Sequence, residues 1–209
     1  MYKRQPKHLA VLNAAADAAG WKNPAPAGVH RGLCQTMGFG SYVAAVAEKS
    51  GWGKPAPDVD GQKVYRGLAQ IMGFGSYVAA CAEVSVSDAG DLKVHRIVAA
   101  TDPGHAVNPQ QIAAQVEGSF VYGLSAALFG GCTVKDGRIE QDNFSSYPVV
   151  QMQHMPKVEA ILMPSGGFWG GVGEPTIAVA APAVLNAIYA ATGKRIRELP
   201  LKNHSLKKA

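Results

Sequence analysis

The stretch YVAACAEVSVSDAGDLKVHRIVAA, Tyr77 to Ala100, decides the fold. Two β-rich runs, Tyr77 to Val86 and Leu92 to Ala100, flank the turn-forming cluster Ser87-Asp88-Ala89-Gly90-Asp91. That pattern predicts an antiparallel hairpin. Downstream, Asn108-Pro109-Gln110-Gln111 combines an N-cap residue, a proline at the first helical position and a glutamine three residues after the cap. A long helix to about Phe129 is expected. Thr133 to Gln141 carries Asp136-Gly137 between two short strands, a second hairpin signal, and Lys157 to Met163 is a further strand. The glycine-rich Ser165 to Gly173 runs into Glu174-Pro175, where Pro175 suits a first helical turn; Ala178 to Ala191 is helix-forming and Gly193 ends it. Strands and helices mix without βαβ regularity. The predicted class is α+β: a mixed sheet from strands between residues 64 and 101 and over 157 to 163, with the helices from about Asn108 and Pro175 packed on it.

Upstream of the hairpin the chain repeats itself. Arg31 to Glu48 reads RGLCQTMGFGSYVAAVAE and Arg66 to Glu83 reads RGLAQIMGFGSYVAACAE, 15 identities in 18 at an offset of 35. Gly51-Trp52 with Pro55-Ala56-Pro57 likewise repeats Gly20-Trp21 with Pro24-Ala25-Pro26 at an offset of 31. One unit, about residues 20–48 and again 51–83, stands in tandem, and two copies are too few for a solenoid. Ahead of it, Leu9, Leu12, Ala15, Ala16 and Ala19 form one helical stripe closed by Gly20. At the junction, Ala44 to Trp52 reads equally as the end of a strand in the first copy or the end of a helix in the second. The second copy runs straight into the Ser87–Asp91 hairpin, so it is expected in the sheet, with the first as a more poorly packed addition.

The 209 residues are 47% hydrophobic, enough for a buried core, and only 17% charged. The net charge of +5 comes from the ends: Lys3, Arg4, Lys7, Lys202, Lys207 and Lys208 account for six positive charges, leaving 14 basic against 15 acidic residues. No phosphate-binding stripe results, which excludes a nucleic-acid partner. Cys34, Cys81 and Cys132 include no CxxC, so zinc, iron–sulfur and disulfide-scaffold readings fail. No apolar run approaches the length of a membrane span, and the amino terminus has no apolar signal core.

Glu174 is the sharpest candidate for chemistry. It ends a glycine-rich loop at an expected helix start, where the dipole favours an ionised carboxylate able to take a proton from a bound hydroxyl or water. The alternative is an acid that only stabilises the helix. Neither Gly171-Val172-Gly173 nor Gly38-Phe39-Gly40 completes GxGxxG. Gln115 and Glu117 lie in an apolar stretch of the long helix, where Gln115 either bonds a cofactor or satisfies helix packing. His105 reads as a loop residue. Ser41 and Ser76 stand in GFGSY rather than GxSxG, so no nucleophile elbow is indicated.

Six motifs follow in order: Asp102-Pro103-Gly104-His105-Ala106-Val107-Asn108-Pro109, Gln115-Val116-Glu117-Gly118, Asn143-Phe144-Ser145-Ser146-Tyr147, Gly171-Val172-Gly173-Glu174-Pro175, Ala181 to Ile188 and Thr192 to Pro200. From about His8 to Leu201 the chain resembles the carboxyl-terminal part of the molybdopterin-binding large subunit of the xanthine dehydrogenase and aldehyde oxidase family. Within it, the tail is most similar to the isoquinoline 1-oxidoreductase beta-subunit branch. The resemblance implies that residues 1–209 are one partial domain, part of the family's second molybdopterin-binding domain. It implies oxidation of an aldehyde or N-heteroaromatic substrate with water as the oxygen source. Glu174 corresponds to the base that deprotonates the molybdenum-bound hydroxyl, and Gln115 and Gly173 to cofactor contacts. The cofactor implied is molybdenum-pterin, in its cytosine dinucleotide form. The implied partners are the missing amino-terminal part of the large subunit and a small subunit carrying the iron–sulfur clusters, in a cytoplasmic or periplasmic complex. The upstream pterin contacts are absent and the tandem copy has no family counterpart. A non-catalytic structural or interaction remnant of a rearranged gene is therefore the alternative.

Overall fold

The computed structural model describes residues 40–207. The expected helix over 6–19, Cys34, the first Gly-Trp and most of the first repeat copy lie outside the described residues. The frame is a four-stranded sheet in the order β1-β2-β3-β6, from β1 (Tyr65–Gly73), β2 (Ser76–Val86), β3 (Leu92–Asp102) and β6 (Lys157–Leu162). β1, β2 and β3 are antiparallel neighbours, and β6 adds parallel to β3, which makes the sheet mixed. A small hairpin, β4 (Val134–Lys135) and β5 (Arg138–Ile139), turns through Asp136 and Gly137, both at positive φ, as Asp-Gly predicts.

The Tyr77–Ala100 hairpin forms as read, with Gly90 at φ +93 in its turn. The β1–β2 hairpin was not foreseen. It closes on Phe74 (φ +55) and Gly75 (φ +77) between the paired residues Gly73 and Ser76, a two-residue turn whose left-handed first position is held by a bulky phenylalanine.

Helices cover both faces. On one, α2 (Pro109–Leu128) and α3 (Ile177–Thr192) pack against Val78, Ala80, Ala82, Val84, Ile97 and Ala99 through Val116, Phe120, Leu124, Val179, Val184 and Ile188. Asn108 caps α2 by accepting from the Gln111 amide at 3.2 Å, and Gly193 caps α3 at φ +72. α3 lies so close to β1 that a Cβ on Gly67 would overlap the backbone of Ala183 and Ala187. On the other face, α1 (Gly40–Ser50) seats Tyr42 and Val46 on Ala79, Cys81, Val98 and Ala100.

α1 settles the ambiguous junction, because it consists of first-copy residues. Gly40-Ser41-Tyr42-Val43-Ala44-Ala45 is helix, whereas the identical Gly75-Ser76-Tyr77-Val78-Ala79-Ala80 turns into β2. Ala44 to Trp52 is thus the end of a helix. It stops at Gly51 (φ +70), where the Trp52 amide reaches back to the Ala47 carbonyl at 2.8 Å. The poor packing expected of the first copy is not seen in its described residues, since Val46 is fully buried. As a helix the segment takes the sheet face opposite α2 and α3 instead of competing for a strand position. Arg66 of β1 secures its end by donating to the carbonyls of Gly51 (2.8 Å) and Lys54 (2.7 Å). Arg66 also begins a row of alternating charges across the sheet, with Glu83 at 2.8 Å, Arg96 at 3.6 Å from Glu83, and Glu159 at 2.9 Å from Arg96.

Candidate functional site

The glycine-rich segment is strapped to the end of β3. Met163 donates to the Thr101 carbonyl (3.0 Å), Gly166 to Gly104 (2.8 Å) and Gly170 to Pro103 (2.8 Å). Its glycines serve this contact first. A Cβ on Gly104 would overlap the Phe168 carbonyl, and one on Gly170 would overlap Ser76 and Gly75. The β1–β2 turn joins the assembly through the Gly171 amide, which donates to the Phe74 carbonyl at 2.8 Å, and through the buried Ser76 hydroxyl, which donates to the Gly171 carbonyl at 2.5 Å. Ser41, the first-copy equivalent of Ser76, is exposed on α1. His105 is a loop residue, stacked on Trp169 with ring centroids 4.7 Å apart.

Beyond this packed region the segment opens. Gly173 lies beside α2, where the Gln115 Nε2 is 3.8 Å from the position a Cβ on Gly173 would take. Glu174 follows and is exposed, as are Gln115 and Glu117. Gln115 and Gly173, 58 positions apart in the chain, therefore meet at one rim, and the exposed Glu174 is the next residue along. Among the described residues no group accepts from or donates to the side chains of Gln115 and Glu174, and none accepts from the amides of Val172 and Gly173. The rim thus offers amide donors and a carboxylate acceptor with no partner among the described residues. Amide donors suit the ring nitrogens and carbonyl of a pterin, and a carboxylate suits its N–H groups.

Glu174 does not stand at the helix start. α3 begins at Ile177 after a Thr176 cap in the αR region, and the Ile177 amide donates to the Glu174 carbonyl at 3.0 Å. Pro175, expected in the first helical turn, occupies the turn before it. Thr176 is buried and receives a 2.6 Å hydrogen bond from the buried Ser119 hydroxyl of α2, which fixes the backbone two residues beyond Glu174. Asp102, Ser76 and the Ser119–Thr176 pair are the supporting residues that motif reading missed. Only Asp102 carried a local signal, an Asp before Pro-Gly, which here forms an Asx-type turn to the Gly104 amide at 2.7 Å.

No described helix is long and apolar enough to cross a membrane, and no three or more His, Cys, Asp or Glu among the described residues converge on a metal position. Residues 16–156 match the family model of the molybdopterin cofactor-binding domain. The isoquinoline 1-oxidoreductase subunit beta of Brevundimonas diminuta is 32% identical over 162 residues, 78% of this chain and 21% of that protein. An Escherichia coli aldehyde oxidoreductase molybdenum-binding subunit, PaoC, is 33% identical over 123 residues, 55% of this chain and 17% of that one. The aldehyde oxidoreductase structure from Desulfovibrio gigas superposes with a TM-score of 0.54 at 25% identity, over 63% of this chain and 15% of that one. The chain spans about a fifth or less of the length of the relatives it matches.

Proposed function

This chain belongs to the molybdopterin cofactor-binding domain family of the molybdenum hydroxylases, and on that premise we propose that it is a segment of an enzyme that oxidises an aldehyde or an N-heteroaromatic ring with water as the oxygen source. The observation that supports the reading is the meeting of Gln115 with Gly173, directly before the exposed Glu174. When bound, a molybdenum-pterin cofactor, in our reading the cytosine dinucleotide form, supplies the two-electron acceptor and the site at which oxygen is delivered. Gln115 donates its amide hydrogens to the cofactor edge. The bare backbone of Gly173 permits approach and adds an amide donor. Glu174 takes a proton on a carboxylate oxygen from a hydroxyl held beside it, and the Ser119–Thr176 bond keeps the following turn from shifting as it does so. Iron–sulfur clusters on a separate small subunit would take up the electrons. The amino-terminal part of the large subunit closes the substrate pocket.

Co-production of the full chain with the upstream part of a relative's large subunit and the iron–sulfur subunit tests this. The purified complex is expected to contain close to one molybdenum per chain and to place oxygen-18 from labelled water into the product. A well-assembled complex that acquires no molybdenum would make the chain a structural remnant instead.

A further inference from the structure

We propose that Asp102 is the positioning residue of the glycine-rich loop, and that the duplicated segment holds it there through the hydroxyl of Tyr42. Three donors from three separate parts of the chain converge on this one carboxylate at the end of β3. Asp102 Oδ1 accepts from the amides of Gly104 (2.7 Å) and Ser165 (3.1 Å), and Oδ2 accepts from the Tyr42 hydroxyl at 2.7 Å. Gly104 and Ser165 belong to the two backbone segments that run side by side here, so a group that bonds both amides sets the relation between them. With Gly104 at φ +79 and in backbone contact with Phe168, little room is left for the segments to slide. The loop continues through Trp169 and Gly173 to Glu174, so an error at Asp102 is carried along the backbone to the rim.

Tyr42 comes from the first repeat copy, and the second copy's equivalent, Tyr77, is the residue paired with Asp102 across β2 and β3. The helical form of the repeated sequence thus brings a second tyrosine to the strand end that the strand form already flanks. Asp102 is buried, which alone would raise its carboxyl, but the bonds from Tyr42, Gly104 and Ser165 together hold it below its ordinary value. Burial first, and the bond to Asp102 second, push the Tyr42 hydroxyl up to about 12. At neutral pH the pair is therefore hydroxyl donor and carboxylate acceptor, the stronger type of hydrogen bond. The proposal concerns loop geometry and stands whether or not Glu174 acts as a base.

The test is nuclear magnetic resonance of the nitrogen-15-labelled full chain. Tyr42→Phe keeps the ring and removes only the hydroxyl. It should shift the Gly104 and Ser165 amide resonances, which residue 42 does not bond, and lower their exchange protection at least about threefold. With Trp21 and Trp52 replaced by Phe, acrylamide quenching of Trp169 should rise in the same variant. Asp102→Asn should give a larger change, and adding Tyr42→Phe to it should give no more, because the hydroxyl acts only through the carboxylate. Val46→Ala weakens the same helix without touching Asp102 and should leave both amides in place. Unmoved amides in Tyr42→Phe, equal shifts in Val46→Ala, or additive effects in the double variant would overturn the proposal. Should Asp102→Asn not fold, the comparison of Tyr42→Phe with Val46→Ala decides it alone.

Discussion

Tyr42 and Tyr77 occupy the same position in two copies of one repeated sequence, and their rings stack with centroids 5.7 Å apart and planes 18° from parallel. One ring stands on a helix and the other on a strand. The two copies have therefore become partners across a helix–sheet interface, and each buries apolar surface that the other supplies.

The helical state of the first copy can be checked at Ala44, an exposed position in the middle of α1. Ala44→Gly should lower stability by about 0.5–1 kcal/mol, and Ala44→Val by a few tenths, because a helix disfavours both residues relative to alanine. In a strand the valine would stabilise instead. Urea unfolding of the two variants reads the sign directly.

Gly67 sets how closely α3 approaches the sheet. Gly67→Ala should cost about 1–3 kcal/mol, the range for overpacking a filled core, since its Cβ meets helix backbone that cannot rotate away. Gly173→Ala, whose Cβ would find only Gln115 Nε2 at 3.8 Å, should leave the unfolding midpoint nearly unchanged. Equal losses at the two sites would contradict the packing described.

The charge row on the sheet makes stability depend on acid. Hydrogen bonds from Arg96 first and Lys157 second lower the Glu159 carboxyl from 4.5 to about 2. Its folded-state value lies below its unfolded one, so the stabilisation is complete above pH 4.5 and is lost as pH falls toward 2. Denaturant midpoints measured at pH 6, 4 and 3 should fall in that order, and Glu159→Gln should flatten the dependence. A mutant curve parallel to the parent's would remove Glu159 as its source.

In the complemented, molybdenum-loaded complex, Glu174→Gln should leave metal content intact and suppress turnover by at least ~10²-fold, the lower end for a positioned general base. Gln115→Ala should lower cofactor retention before it alters the rate of loaded enzyme. Metal analysis beside steady-state kinetics separates these outcomes. Turnover that survives Glu174→Gln at full metal load would take the base role away from this residue.

The hairpin over Tyr77–Ala100, the Asn108-capped helix, the Asp136-Gly137 turn and the Gly193 stop were legible in the sequence because each depends on neighbours within a few residues. Caps, turn glycines and β-rich runs act locally and have no strong competitor. The six ordered motifs likewise carried the family without any coordinates, since their order and wording do not depend on packing. Gly40 to Ala45 is the opposite case. Its propensities are divided between alanine and the β-branched and aromatic Val43 and Tyr42, and the same six residues form the β2 turn and strand at Gly75 to Ala80. What decides between the two states is the available partner: strands β1 and β3 for one copy, and the sheet face opposite α2 and α3 for the other. The β1–β2 turn at Phe74-Gly75, the parallel addition of β6 to β3, the convergence on Asp102 and the meeting of Gln115 with Gly173 are of this second kind. Each joins groups that chain connectivity leaves free to part, and only burial of the shared core brings them together.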